Sequence, residues 1–182
     1  MTDETSILGQ PYATQLSTQS YGSKPRIEGV QIVDLPLFSD EGGDFAEIVR
    51  MAPDGMLEAL PGFRPAQISY SYLEPGTIKA WHLHLRQEDL WFVPPRDRLL
   101  VGLLDARWGS ATFETRMRLV LGAGRARLLL IPRGVAHGAA NLSGVGVHLI
   151  YLTTNTFNPD DPDERRLPYD LLGADFWQNR PG

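Results

Sequence analysis

Three of the four histidines in this 182-residue chain fall in two short windows. Histidine is the side chain best suited to move protons near neutral pH or to hold a transition metal. The first window runs Gly76-Thr-Ile-Lys-Ala-Trp-His82-Leu-His84-Leu-Arg-Gln-Glu88, and the second runs Ile131-Pro-Arg-Gly134-Val-Ala-His137-Gly-Ala-Ala-Asn141. On a strand, His82 and His84 are two apart and point to the same side, into the interior if Trp81 and Leu83 face outward. Pro132 and Gly134 set a tight turn, and His137 opens the strand that follows. Imidazoles gathered in this way suit either chemistry, and both are open on the residues alone. His148 has no companion motif and reads as structural.

Strands must position these groups. Eighteen glycines and fourteen prolines punctuate the chain at about 8–12-residue intervals, a spacing that suits short strands. Ile68, Tyr70 and Tyr72 share one face, and Gln67, Ser69 and Ser71 the other; similar alternation runs through Thr112–Arg118 and Val145–Leu152. Helical spacing is confined to Phe45–Met51 and Leu171–Trp177. The pattern predicts an all-β, antiparallel barrel or jelly roll with a few short helices at its flanks. An N-terminal arm is expected over residues 1–26 and one domain over 27–182. Lys79 differs in parity from His82, so both reach one ligand only if a β-bulge intervenes.

Composition narrows the function. Hydrophobic residues make up 42% and charged residues 21%, as in an ordinary globular protein. With 22 acidic against 17 basic side chains the net charge is -5, which argues against nucleic acid as a partner. Cysteine is absent, so thiolate metal sites and cysteine nucleophiles are excluded. No apolar run approaches the ~20 residues of a membrane span, and the polar, acidic start lacks signal-peptide order, so a cytoplasmic protein without a membrane partner is expected.

The intervals Gly-x5-His-x-His-x3-Glu and Pro-x-Gly-x2-His-x3-Asn resemble the two cupin motifs, with Pro95 where the first would close on glycine. In many cupins the equivalents of His82, His84, Glu88 and His137 bind one divalent metal. A narrower likeness covers roughly residues 30–177. Gln67-x-Ser69-x-Ser71, Lys79-Ala-Trp-His82, Asp105-Ala-Arg107-x2-Ser110-x-Thr112, Ile131-Pro-Arg-Gly-x-Ala-His137-Gly138 and Tyr151-x-Thr153-Thr154 follow in one order. Together they resemble the dTDP-4-dehydrorhamnose 3,5-epimerase family, whose members are metal-free homodimers on the cupin fold.

That resemblance implies epimerisation of a nucleotide-linked 4-keto-6-deoxy sugar without a cofactor. It places the base at His82 and the carboxylate behind it at Asp170, and it implies a binding shell of Gln67, Ser69, Lys79, Arg107, His137 and Tyr151. The chain also departs from the family. Phe157 stands where a proton-donating tyrosine is expected, Asp89 or Leu90 near an enolate-steadying lysine, and Gly42 at a phosphate-clamping arginine. The alternatives are a metal-dependent cupin dioxygenase or isomerase using one divalent ion (Fe, Mn, Ni or Zn) on His82, His84, Glu88 and His137, and a non-catalytic sugar-binding cupin.

Overall fold

Alternating segments become strands throughout the computed structural model, which describes residues 7–19 and 21–180. They are β1 (Gln31–Asp34), β2 (Phe38–Asp40), β3 (Gly43–Phe45), β4 (Gln67–Leu73), β5 (Ile78–Leu83) and β6 (Asp89–Phe92), then β7 (Arg98–Asp105), β8 (Arg116–Gly122), β9 (Arg127–Ile131), β10 (Val135–Ala140), β11 (Val147–Thr153) and β12 (Arg165–Arg166). One antiparallel sheet has the order β1-β9-β6-β11-β4, and the second β12-β5-β10-β7-β8; β2 and β3 form a separate hairpin. The two sheets face each other as a jelly-roll sandwich. It is not a closed barrel: among the described residues β1, β4, β8 and β12 each have a neighbour on one side only, which corrects that part of the expectation.

Apolar residues fill three layers. Between the sheets lie Trp91, Leu129, Ile131 and Leu149 from one side and Leu99, Val101, Leu103, Leu121 and Val135 from the other. The opposite face of the first sheet buries Leu90, Phe92, Leu128, Leu130 and Leu152 under the turn-rich stretch that carries Leu57, Leu60 and Phe63. The outer face of the second sheet buries Trp81, Leu100, Ala136 and Ala140 under Phe176 and Trp177. Covering both faces explains why β6 and β10 are buried at every residue instead of alternating. Each large side chain removed from water contributes about 1.5–3 kcal/mol, so these outer covers contribute to stability as well as to shape.

Neither expected helical stretch forms an α-helix. Phe45–Met51 leaves β3 as an extended segment whose Ala46, Ile48 and Val49 pack on the first sheet, and Leu171–Trp177 contains only a 3-10 turn, Ala174–Trp177. Apolar spacing there records contact with a sheet below. Thr112–Arg118 turns before it becomes strand, since β8 opens at Arg116. Of the arm expected over 1–26, residues 1–6 and 20 lie outside the described residues, as do 181–182. The remainder includes the 3-10 turn Tyr12–Gln15 and is mostly exposed up to the buried Ile27.

Candidate active site

The site begins with a bulge. β5 pairs with β10 so that His82 opposes His137 while Lys79 opposes Ala139: three residues on one strand match two on the other. The extra residue reverses the parity of Lys79, so Lys79 and His82 line the same cavity. Gly138 lies at the slip, and a Cβ there would come within 2.9 Å of the Lys79 carbonyl oxygen. The turn before β10 needs a glycine for a different reason, because Gly134 sits at φ 76, in left-handed space.

Between the sheets, the polar end of the sandwich opens into a cavity of about 980 Å³. Lys79, His82, His84 and His137 line it from the second sheet and the turn after β5, and Gln67, Ser71, Tyr151, Asp89 and Trp91 from the first. Residues 161–166 cross beside it. They are fastened by Asp163, whose carboxylate accepts hydrogen bonds from the backbone N–H of Leu85, Arg86 and Gln87. Burial alone would raise the Asp163 pKa, and these donors outweigh it and hold the carboxyl below its usual range.

His82 sits between opposite charges on this strap. Its Nδ1 lies 3.1 Å from Glu164 Oε1, and its Nε2 lies 3.1 Å from Arg166 Nη1. A guanidinium only donates, so Nε2 is the acceptor and Nδ1 carries the proton toward Glu164. Burial, then the Arg166 cation, push the His82 pKa below its usual value against the opposing pull of Glu164. The imidazole is therefore neutral at neutral pH with Nε2 unprotonated, the state a base requires. Burial would raise Glu164, but Arg166 and His82 outweigh that and keep it ionised.

The structure gathers most of the residues singled out by sequence and redirects four. Gln67 and Ser71 face the cavity; Ser69 receives a hydrogen bond from Gln67 at 2.9 Å and braces it, while Gln67 Oε1 accepts from the Phe157 N–H. Lys79 Nζ donates to Ser71 Oγ at 2.9 Å. Tyr151 lines the cavity, whereas Tyr72 stands on the opposite face against His148, which Asp97 anchors at 2.7 Å. Asp170 is exposed and does not back His82; that place is taken by Glu164, because β12 beside β5 carries Arg166 opposite His82. Arg107 does not line the cavity, since Asp105, at 2.8 Å, and the Glu28 carbonyl hold it at the far turn. Nor does Glu88 join the histidines, because β6 begins one residue later and turns Asp89 inward with Trp91. His82 in turn is occupied by Glu164 and Arg166, so the metal set read from sequence loses two of its four members and gains Asp89.

His137 is the deepest of the three rings. It is stacked on His82 with ring centroids 6.0 Å apart and forms a T-shaped pair with Trp91 at a centroid distance of 5.2 Å. Burial holds its pKa well below the usual value, although Asp89 pulls the other way.

Residues 24–172 match the family model for dTDP-4-dehydrorhamnose 3,5-epimerase. A Bacillus subtilis spore coat polysaccharide biosynthesis protein, SpsL, is 42% identical over 79% of this chain and 91% of its own. The probable low-salt glycan biosynthesis epimerase Agl13 of Haloferax volcanii is 33% identical over 80% and 90%. The Legionella pneumophila dTDP-6-deoxy-D-glucose-3,5-epimerase, solved with dTDP-4-keto-L-rhamnose, superposes with a TM-score of 0.70 at 27% identity, over 85% of this chain and 81% of that one.

Proposed function

Because the chain belongs to the dTDP-4-dehydrorhamnose 3,5-epimerase family, we propose that it epimerises a nucleotide-linked 4-keto-6-deoxy sugar by proton transfer at His82. The observation that carries the reading is the fixed tautomer of His82, with Nδ1–H directed at Glu164 and Nε2 turned to accept. The ketone at carbon 4 acidifies the protons on carbons 3 and 5. His82 Nε2 removes one once Arg166 gives way, and Glu164 stabilises the imidazolium that forms. Electrons of the broken C–H bond move onto the ketone oxygen as an enolate. Lys79, paired only with the neutral Ser71 hydroxyl in the described contacts, is the cation free to meet that oxygen or a phosphate.

Inversion needs a proton on the opposite face. Tyr151 is the one tyrosine lining the cavity among the described residues, and we assign it the donor's role in place of the phenol missing at Phe157. Gln67, Ser69 and His137 complete the binding shell. The transfer runs on side chains and needs no cofactor. We place the reaction in the cytoplasm, in deoxysugar or surface-polysaccharide biosynthesis, and propose a homodimer. No described helix is long and apolar enough to cross a membrane.

The test is incubation with nucleotide 4-keto-6-deoxy sugars in heavy water. Deuterium should enter at carbon 3 or 5 with wild type and fail to enter with His82→Asn. Equal exchange in both proteins would remove His82 as the base.

A further inference from the structure

The sandwich has a second opening, on the side away from His82. The cavity that holds His82 lies toward β4 and β5, whereas this groove lies between β1 and β8, at the opposite ends of both sheets. Its volume is about 1400 Å³. One lysine and seven arginines line it, eight of the chain's 17 cationic side chains, and Asp175 is the one lining carboxylate among the described residues. A chain of net charge -5 has gathered nearly half of its cations in one place.

These cations lack counter-charges. Arg98, Arg116 and Arg125 are exposed, and their guanidinium groups meet no acceptor among the described residues. Arg118 donates to the Gln178 carbonyl at 2.7 Å and Arg127 to the Val120 carbonyl at 2.6 Å, yet the Nε of each is buried without a partner. Burial, then the neighbouring Arg180 cation, push the Arg118 pKa below its usual value. Like charges gathered on one surface repel, and a buried donor without an acceptor is destabilising. An anion in the groove relieves both.

The groove also has the geometry of a strand. β8 is an edge strand among the described residues, and apart from the Val120 carbonyl that Arg127 takes, its outer backbone groups are open to a further strand. Arg116 and Arg118 stand two residues apart and so project on one face about 6–7 Å from each other, the interval between alternate residues of a strand laid alongside. Arginine's planar fork pairs with carboxylates through two parallel hydrogen bonds. Phe176 is the one lining aromatic side chain, 4% exposed and covered by the Arg118 guanidinium 5.6 Å from its centroid, so nucleic-acid bases find no ring to stack on. We propose that the groove docks an extended acidic segment of another protein, which joins the β8 edge as a strand and sets alternate carboxylates against Arg116 and Arg118. Arg125 and Arg127, at the turn after β8 and the start of β9, meet its remaining charge. Docking there needs no chemistry at His82, so it stands apart from the proposed function.

Fluorescence anisotropy tests it with the full chain and a labelled peptide of about ten residues in which glutamate alternates with threonine. At about 0.1 M salt the peptide should bind saturably, and affinity should fall as salt is raised. Arg116→Glu and Arg125→Glu should each weaken binding at least ~10-fold. Both side chains are exposed and unpaired, so circular dichroism and melting should match wild type. N-methylation of alternate peptide amides should weaken binding too, because it removes ladder donors and leaves the charge. No saturable binding, or folded variants that bind as wild type does, would overturn the site. An N-methylated peptide that binds as well as its parent would overturn the added strand. Oligothymidylate or a sulfated glycan bound more tightly than the peptide would overturn the acidic protein as the partner.

Discussion

Proton abstraction at a single ring nitrogen depends on which nitrogen carries the hydrogen, and at His82 that is decided by Glu164. Replacing Glu164 by Gln keeps the side chain's shape but removes the charge that stabilises the imidazolium. Deuterium exchange should then fall on the order of 10²-fold. Asp170→Asn should leave exchange at the wild-type rate, because Asp170 is exposed and both ring nitrogens are partnered by Glu164 and Arg166. The reverse pattern would restore Asp170 as the orienter. Tyr151→Phe separates the two half-reactions. If Tyr151 returns the proton, its loss should slow inversion by about 10²–10⁴-fold while His82 still exchanges the substrate's hydrogen for deuterium. Phe157→Tyr in the Tyr151→Phe background should recover part of the inversion, since Phe157 also lines the cavity. Loss of exchange and inversion together in Tyr151→Phe would assign that residue to binding.

At the scale of elements, the bulge between β5 and β10 sets Lys79 and His82 on one side, and Gly138 makes room for it. Gly138→Ala brings a methyl group against the Lys79 carbonyl and the Ala80 side chain and should destabilise the fold by about 1–3 kcal/mol. It should also raise KM through Lys79, whereas Gly144→Ala, with nothing within 4 Å of its added Cβ, should do neither. Thermal melting beside kinetics checks the pair. The strands themselves were legible because period-2 alternation follows directly from a sandwich with one buried face, as in β4 and β11. The need for a bulge followed from the parity of Lys79, yet no residue type marks where the extra position sits. Strand phase explains the exchange of Glu88 for Asp89: two adjacent carboxylates look equivalent until β6 fixes which one faces inward. Glu164 was illegible because it reaches His82 across 82 residues from a stretch without periodicity. The helical spacing misled where extended chain packs on a sheet and leaves the same apolar intervals as an amphipathic helix.

For the whole molecule, open edges and acid sensitivity both follow from the sandwich. β4 is an edge strand whose outward Ile68 and Tyr70 are 65% and 61% exposed, apolar surface that a second copy would cover. Light scattering should return twice the chain's mass at micromolar concentration. At the turn after β7, Asp105 is fully buried and accepts from Arg107 at 2.8 Å and from Ser110 and Thr112 at 2.6 Å each. Burial alone would raise its pKa, but these donors outweigh burial and hold it far below the usual carboxylate range. A carboxyl that binds its proton less readily when folded stabilises the native state at neutral pH. That contribution is lost as the pH falls below about 4, the unfolded value, toward the lower folded one. The network joins β7 to the segment before β1 through Arg107 and the Glu28 carbonyl, so its loss should loosen the fold as a unit. Asp105→Asn should therefore be less stable than wild type by about 1–3 kcal/mol at neutral pH. The gap should narrow as denaturation is repeated at successively lower pH below about 4. A gap that stays constant through that range would mean that Asp105 stabilises the turn through shape and neutral hydrogen bonds, with its charge contributing nothing.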